Sequence, residues 1–201
     1  MKPFSKITSI AAPIGIKDVD TDMIIPAQFM TSISREGYGK HVFSRLRSAY
    51  ADFYLNVPMY QHAQILITNS NFGCGSSREH AVWALYDSGI RVIVGSSFAD
   101  IFSSNCSKNG LLLVCLPPET IGHLIRESSE TALPMTVDLA NQVVSTTDGR
   151  SWTFDYDPFR KHCLLEGLDD LDYLRSRLTD IQAKKKSQQD STFFDARYPN
   201  R

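Results

Sequence analysis

The chain has 201 residues, 42% of them hydrophobic, which is enough for one domain with embellishments and a real buried core. A formal net charge of −1 excludes a global field that would draw the protein to nucleic acid or an anionic membrane, so any anion recognition has to be local. No apolar run approaches the ~20 residues that span a bilayer, and the opening stretch, broken by Pro13 and Gly15, is too short for a signal peptide; a cytoplasmic location is the expectation.

In chain order, Ser5 to Ile10 reads as a first strand, followed by a turn-rich connection through Pro13, Gly15 and Asp18. Asp20-Thr21-Asp22-Met23-Ile24-Ile25-Pro26 sets Asx-type turn formers before a short apolar run closed by proline, the pattern of an ordered loop. From Ala27 to Gly39 periodic signals are few, which describes a flexible segment with Phe29 and Met30 at its tip. His41 to Arg47 reads as a short helix and Tyr54 to Pro58 as a turn.

Three apolar runs follow, Ile65 to Thr68, Arg91 to Val94 and Leu111 to Leu116. Helical spacing fills the gaps: Ala81, Ala84, Leu85 and Ser88 share a face before a stop at Gly89, and Phe98, Ile101, Phe102 and Cys106 recur before Gly110. A β-α-β-α-β order with such crossovers predicts parallel pairing, with the strand C-termini gathered on one edge. Pro117 to Arg126 predicts a helix. Met135 to Leu139, Gln142 to Ser145 and Trp152 to Tyr156 alternate as strands, with turn chemistry at Asn141 and Asp148-Gly149, so the second half is expected to be antiparallel. Pro158 to Glu166 and Asp169 to Gln182 read as helices joined at Gly167. The expected organisation is an α/β domain over residues 1–183 and a frayed tail over 184–201, where Lys184-Lys185-Lys186 is a solvated helix end rather than a nucleic-acid patch.

The chemistry concentrates in Asn71 to Leu85, NFGCGSSREHAVWAL, where a strand leads through a glycine-spaced polar loop into a helix. Gly73 and Gly75 bare the main chain, Cys74 lies between them, and Ser76 with Glu79 has capping-box spacing that predicts a helix start at Ser76 or Ser77. A thiolate at Cys74 would be stabilised by that helix start. Arg78 adds a planar fork suited to a carboxylate or phosphate. Ser-x-x-Glu alone suits simple capping, but two glycines, two serines and an arginine in six residues at a parallel-strand edge favour a ligand site. Arg78 occupies the place of the third glycine of a dinucleotide fingerprint, Gly-Lys-Ser/Thr of a phosphate loop is missing, and Gly75-Ser76-Ser77-Arg78 is not a nucleophile elbow. Cys74, Cys106, Cys115 and Cys163 are scattered without metal-cluster spacing, as expected of small apolar residues in a reducing compartment.

Asn71 to His80, Ser97-Phe98-Ala99-Asp100-Ile101-Phe102, Asn105-Cys106-x-Lys108-Asn109-Gly110-Leu111-Leu112, Asp20-Thr21-Asp22-x-Ile24-Ile25-Pro26 and Asp157 to Asp170 together resemble the swivel domain of the aconitase superfamily, and within it the small subunit of 3-isopropylmalate dehydratase. The resemblance covers nearly everything up to about residue 180. It implies a swivelling β/β/α fold that closes over a large subunit, whose cysteines hold a four-iron, four-sulfur cluster, and no cofactor on this chain. It implies dehydration and rehydration of a hydroxy diacid, with Ser76 as base and Ser77 and Arg78 on a substrate carboxylate. Phe29 and Met30 offer apolar contact to a branched alkyl group in the region where aconitase reads an extra carboxylate. They suit interface or loop packing equally, and Arg35 lies close by. Citraconate or methylthioalkylmalate substrates, a non-catalytic regulatory swivel module and, from the residues alone, a nucleotide-dependent oxidoreductase are the alternatives.

Overall fold

The computed structural model describes residues 1–30 and 34–189. Its centre is β1 (Ile7–Ile14), which pairs in two senses. The first half runs antiparallel to β5 (Pro134–Asp138), with Ile7 opposite Val137; the second runs parallel to β2 (Ile65–Thr68), with Ala11 opposite Ile65. Beyond β2 lie β3 (Val92–Gly95) and β4 (Leu112–Cys115), and beyond β5 lie β6 (Val143–Thr146) and β7 (Ser151–Thr153), giving the order β4-β3-β2-β1-β5-β6-β7.

The two halves carry the sequence patterns their pairing requires. β2 and β3 are buried on both faces and read as unbroken apolar runs, whereas β5 and β6 alternate buried and half-buried residues because one side alone meets the core. One core, containing Leu66, Ile93 and Phe72, lies under α3 (Glu79–Asp87) and α4 (Asp100–Lys108). The other, containing Ile65, Ile67, Val92 and Val94, lies under α5 (Pro118–Glu130), which presents Ile121 and Leu124. The expected parallel core, antiparallel second half and stops at Gly89, Gly110 and Gly167 are therefore present, each of these glycines having positive φ.

Three expectations are corrected. The first strand does not turn at Pro13 but continues to Ile14. Ala11 N–H donates to Leu133 O on the β5 side, so the nitrogen two residues on faces the same way, beyond the last β5 pairing at Ile10; proline's missing N–H is lost where no acceptor stands. The Asp20 to Pro26 loop contains a helical turn, α1 (Thr21–Ile24), capped by Asp20, which accepts from Met23 N–H at 2.7 Å. The predicted helix over 169–182 is two, after α2 (Ser44–Ala49) and α6 (Pro158–Glu166) earlier in the chain: α7 (Asp170–Ser176) and α8 (Leu178–Gln189) meet at Arg177. The polar stretch from Lys184 stays helical to Gln189, and the remainder of the expected tail lies outside the described residues.

Leu66 is fully buried on the face that supports the site. Leu66→Ala is expected to cost about 2–5 kcal/mol, read as a lower urea midpoint with an unchanged slope.

Candidate active site

Parallel pairing puts the Asn69 to Arg78 connection at the C-terminal edge of β2, beside the exit of β1. Main-chain bonds hold the two segments together: Gly73 N–H donates to Val19 O at 2.8 Å, and Thr21 N–H to Cys74 O at 3.0 Å. The buried Thr21 adds its hydroxyl, which donates to Ser76 O at 2.9 Å. Gly73 has φ +80° and faces the Phe102 ring so closely that a Cβ would lie 2.2 Å from it. Glycine is therefore required here on two counts, conformation and space.

The helix starts later than predicted. Its first residue is Glu79, with Arg78 as a cap that supplies no side-chain bond, so Ser76 and Glu79 form no capping box. Glu79 instead accepts from Asn109 Nδ2 at 2.8 Å, and Asn109 Oδ1 accepts from Trp83 Nε1 at 3.0 Å. Released from capping, Ser76 and Ser77 are exposed, and the main-chain N–H groups of Ser76, Ser77 and Arg78 enter no hydrogen bond among the described residues. His80 packs edge-on against Tyr38 and near Trp83, a structural role.

Arg78 is half-buried and its Nη1 donates to Asp22 Oδ1 at 2.8 Å; Arg45 contacts the other oxygen of the same carboxylate. The Arg78 bond, joined by the Ala27 N–H and by Arg45, holds the Asp22 carboxyl below its ordinary value of 3.8 against the opposing effect of burial. Cys74 is not an activated thiol. Burial and the nearby Asp20 and Asp18 push its pKa up, and the helix start that would stabilise a thiolate lies five residues further on.

Gly73, Gly75, Ser76, Ser77 and Arg78 border a cleft of about 250 Å³, closed on its far side by the first turns of α4, including Asp100 and Asn105. Two larger clefts, of about 400 and 470 Å³, lie around Trp83 and around Tyr54; neither borders the glycine–serine loop, and the chemistry selects the smaller one. Phe29 and Met30 do not line it. They are half-buried against the core, Phe29 stacking on His41 at 4.1 Å, and Arg35 turns away over the Trp83 ring. Sequence reasoning missed Asp22 as the partner of Arg78, and Asp100 and Asn105 as cleft walls. The Asp-Thr-Asp turn signal marked the place of the first but not its contact.

The sheet thus carries an exposed serine pair and an arginine on a glycine loop at its parallel edge, and the class of protein follows from its relatives. A family model described as the aconitase C-terminal domain matches residues 1–119, and one described as LeuD_N matches residues 124–158. The chain is 50% identical over 188 residues, 94% of its length and 99% of the relative's, to the 3-isopropylmalate dehydratase small subunit of Francisella tularensis subsp. novicida. It is 51% identical over 177 residues, 85% of its length and 88% of the relative's, to that of Paracoccus denitrificans. A crystal structure of 3-isopropylmalate dehydratase from Methanocaldococcus jannaschii superposes with a TM-score of 0.67 at 27% identity, covering 90% of this chain and 99% of that one. The chain belongs to the family of 3-isopropylmalate dehydratase small subunits.

Two outcomes follow from the loop's construction. Gly73→Ala should lose more than about 2 kcal/mol, because backbone strain of about 1–2 kcal/mol adds to a ring clash, whereas Gly89→Ala, with nothing within 4 Å of its Cβ, should lose the strain alone; thermal melts of both variants decide this. Asp22, with its folded pKa depressed, contributes stability that is present above its ordinary value and lost as pH falls through the lower folded one. Asp22→Asn should lower stability at neutral pH and flatten the fall below about pH 4, seen as urea midpoints across the acid range.

Proposed function

We propose that this chain is the small subunit of an isopropylmalate isomerase, a hydro-lyase that interconverts 2-isopropylmalate and 3-isopropylmalate in leucine biosynthesis together with an iron–sulfur large subunit. The observation that carries the reading is the Ser76 hydroxyl, exposed on a loop bared by glycines, engaged by nothing among the described residues and close in sequence to a cation whose orientation is fixed. The family's names supply the substrate.

A four-iron, four-sulfur cluster on the large subunit would supply Lewis-acid chemistry for the loss of the hydroxyl. Cys106 and Cys163 are buried, Cys74 is half-buried and Cys115 is exposed, and the cluster ligands are assigned to the partner. Ser76 takes the carbon-bound proton in dehydration and returns one to the neighbouring carbon in rehydration. A serine hydroxyl is too weak an acid to act unaided; the unengaged N–H groups of Ser76 to Arg78, the positive end of α3 and Arg78 stabilise its anionic form once the subunits exclude water. Arg78 gives one donor to Asp22 and keeps others for a substrate carboxylate, which Ser77 shares. Phe29 and Met30, which do not line the cleft within this chain, are the apolar residues assigned to the branched alkyl group once the large subunit completes the site.

In the complex reconstituted with its large subunit, Ser76→Ala should lower kcat by roughly 10²–10⁴-fold at nearly unchanged KM, and the small chain alone should show no turnover. Wild-type turnover by Ser76→Ala would sink the reading, and a panel of hydroxy diacids separates isopropylmalate from citraconate-type and methylthioalkylmalate substrates.

A further inference from the structure

The first turn of α4 forms one wall of the cleft that holds the serine–arginine loop, and main-chain bonds tie the two together. Ala99 N–H donates to Phe72 O at 3.1 Å and Phe72 N–H to Ser97 O at 3.2 Å, around a parallel bridge between Phe72 and Phe98. The residues just ahead of α4 are thereby joined to those just ahead of Gly73. The buried Phe102 ring, T-shaped against Phe72 at 5.5 Å, fills the space that Gly73 leaves. Ile101 therefore stands in a set position relative to the loop that carries Ser76 and Arg78.

Its spacing with Phe98, Phe102 and Cys106 would suit a core residue, yet Ile101 is 57% exposed and belongs to neither hydrophobic cluster, while Phe102 and Cys106 are buried. A lone apolar side chain on open surface would mean little. This one borders the Ser76–Arg78 cleft, and among the described residues it is the one large exposed apolar side chain that does so. The cleft is thus divided by chemistry. Ser76, Ser77 and Arg78 offer donors and positive charge on the loop side, and Ile101 offers hydrocarbon on the helix side. Asp100, exposed on that same wall, would repel a further carboxylate placed there.

We propose that Ile101 is a specificity-determining residue: its side chain packs against the branched alkyl group of a hydroxy diacid whose carboxylate is held on the opposite wall by Arg78 and Ser77. This rests on the isomerase reading above and deepens it, adding to Phe29 and Met30 an apolar contact inside this chain's own cleft. Burying the exposed surface of Ile101 against an alkyl group gives binding that a methyl group in the same place is too short to collect, and it leaves proton transfer at Ser76 unaltered.

The test uses the complex reconstituted with saturating large subunit and wild-type, Ile101→Ala or Ile101→Val small subunit, assayed on 3-isopropylmalate and on the analogue carrying methyl in place of isopropyl. Ile101→Ala should raise KM for 3-isopropylmalate roughly tenfold with kcat within about twofold, while kcat/KM for the methyl analogue stays within about twofold. Ile101→Val keeps a branched surface and should fall between wild type and Ile101→Ala. Because the side chain lies outside both cores, Ile101→Ala should melt within about 2 °C of wild type. The large-subunit concentration that gives half-maximal turnover should also be unchanged. An equal loss on both substrates, with more large subunit needed for half-maximal turnover, assigns Ile101 to the subunit interface and overturns the proposal. An active wild type matched on both substrates by Ile101→Ala overturns this proposal alone, whereas a wild-type complex without isopropylmalate turnover overturns the isomerase reading and this proposal with it.

Discussion

The glycine–serine loop keeps its shape because the chain leaving β1 lies alongside it and exchanges main-chain hydrogen bonds with it. Val19, Thr21, Gly73 and Cys74 meet backbone to backbone, and the Thr21 hydroxyl closes the last contact on Ser76 O. Such bonds do not depend on long side chains finding one another, so little conformational entropy is lost in setting the loop's geometry. They do require close approach. Gly73 permits it by leaving room for the Phe102 ring, and this ties the loop to α4, the opposite wall of the cleft.

That contact exists because β1 serves both halves of the sheet. Its antiparallel half recruits β5, β6 and β7, while its parallel half delivers the chain to the C-terminal edge of β2. The three antiparallel strands take no part in the cleft and act as the support that fixes β1. The candidate site lies at the parallel edge, where loops from successive crossovers converge.

Electrostatics refine the site within that frame. Two arginines share the Asp22 carboxylate, which directs the Arg78 fork without exhausting its donors. Burial, and then Asp20 and Asp18 of the same acidic segment, push the pKa of the Cys74 thiol up.

Much of the fold was legible from local signals. The unbroken apolar runs of β2 and β3, the alternation of β5 and β6 and the stops at Gly89, Gly110 and Gly167 arise from burial and backbone conformation, which leave marks within a few residues of chain. The composition of the 73–78 loop likewise marks it as the candidate site. What the chain could not disclose were events between segments far apart in sequence. Pro13 is tolerated inside β1 only because the pairing with β5 ends at Ile10, and Glu79 gives up capping Ser76 because Asn109, thirty residues away, takes its carboxylate. Asp22 reads as a turn former until folding brings Arg78 to it, and Phe29 reads as a loop tip until His41 stacks beneath it. Residue type and spacing determined the elements and the chemistry on offer; which oxygen meets which nitrogen was decided by tertiary packing, since hydrogen bonds and ion pairs act over a few ångströms of space however long the chain between them.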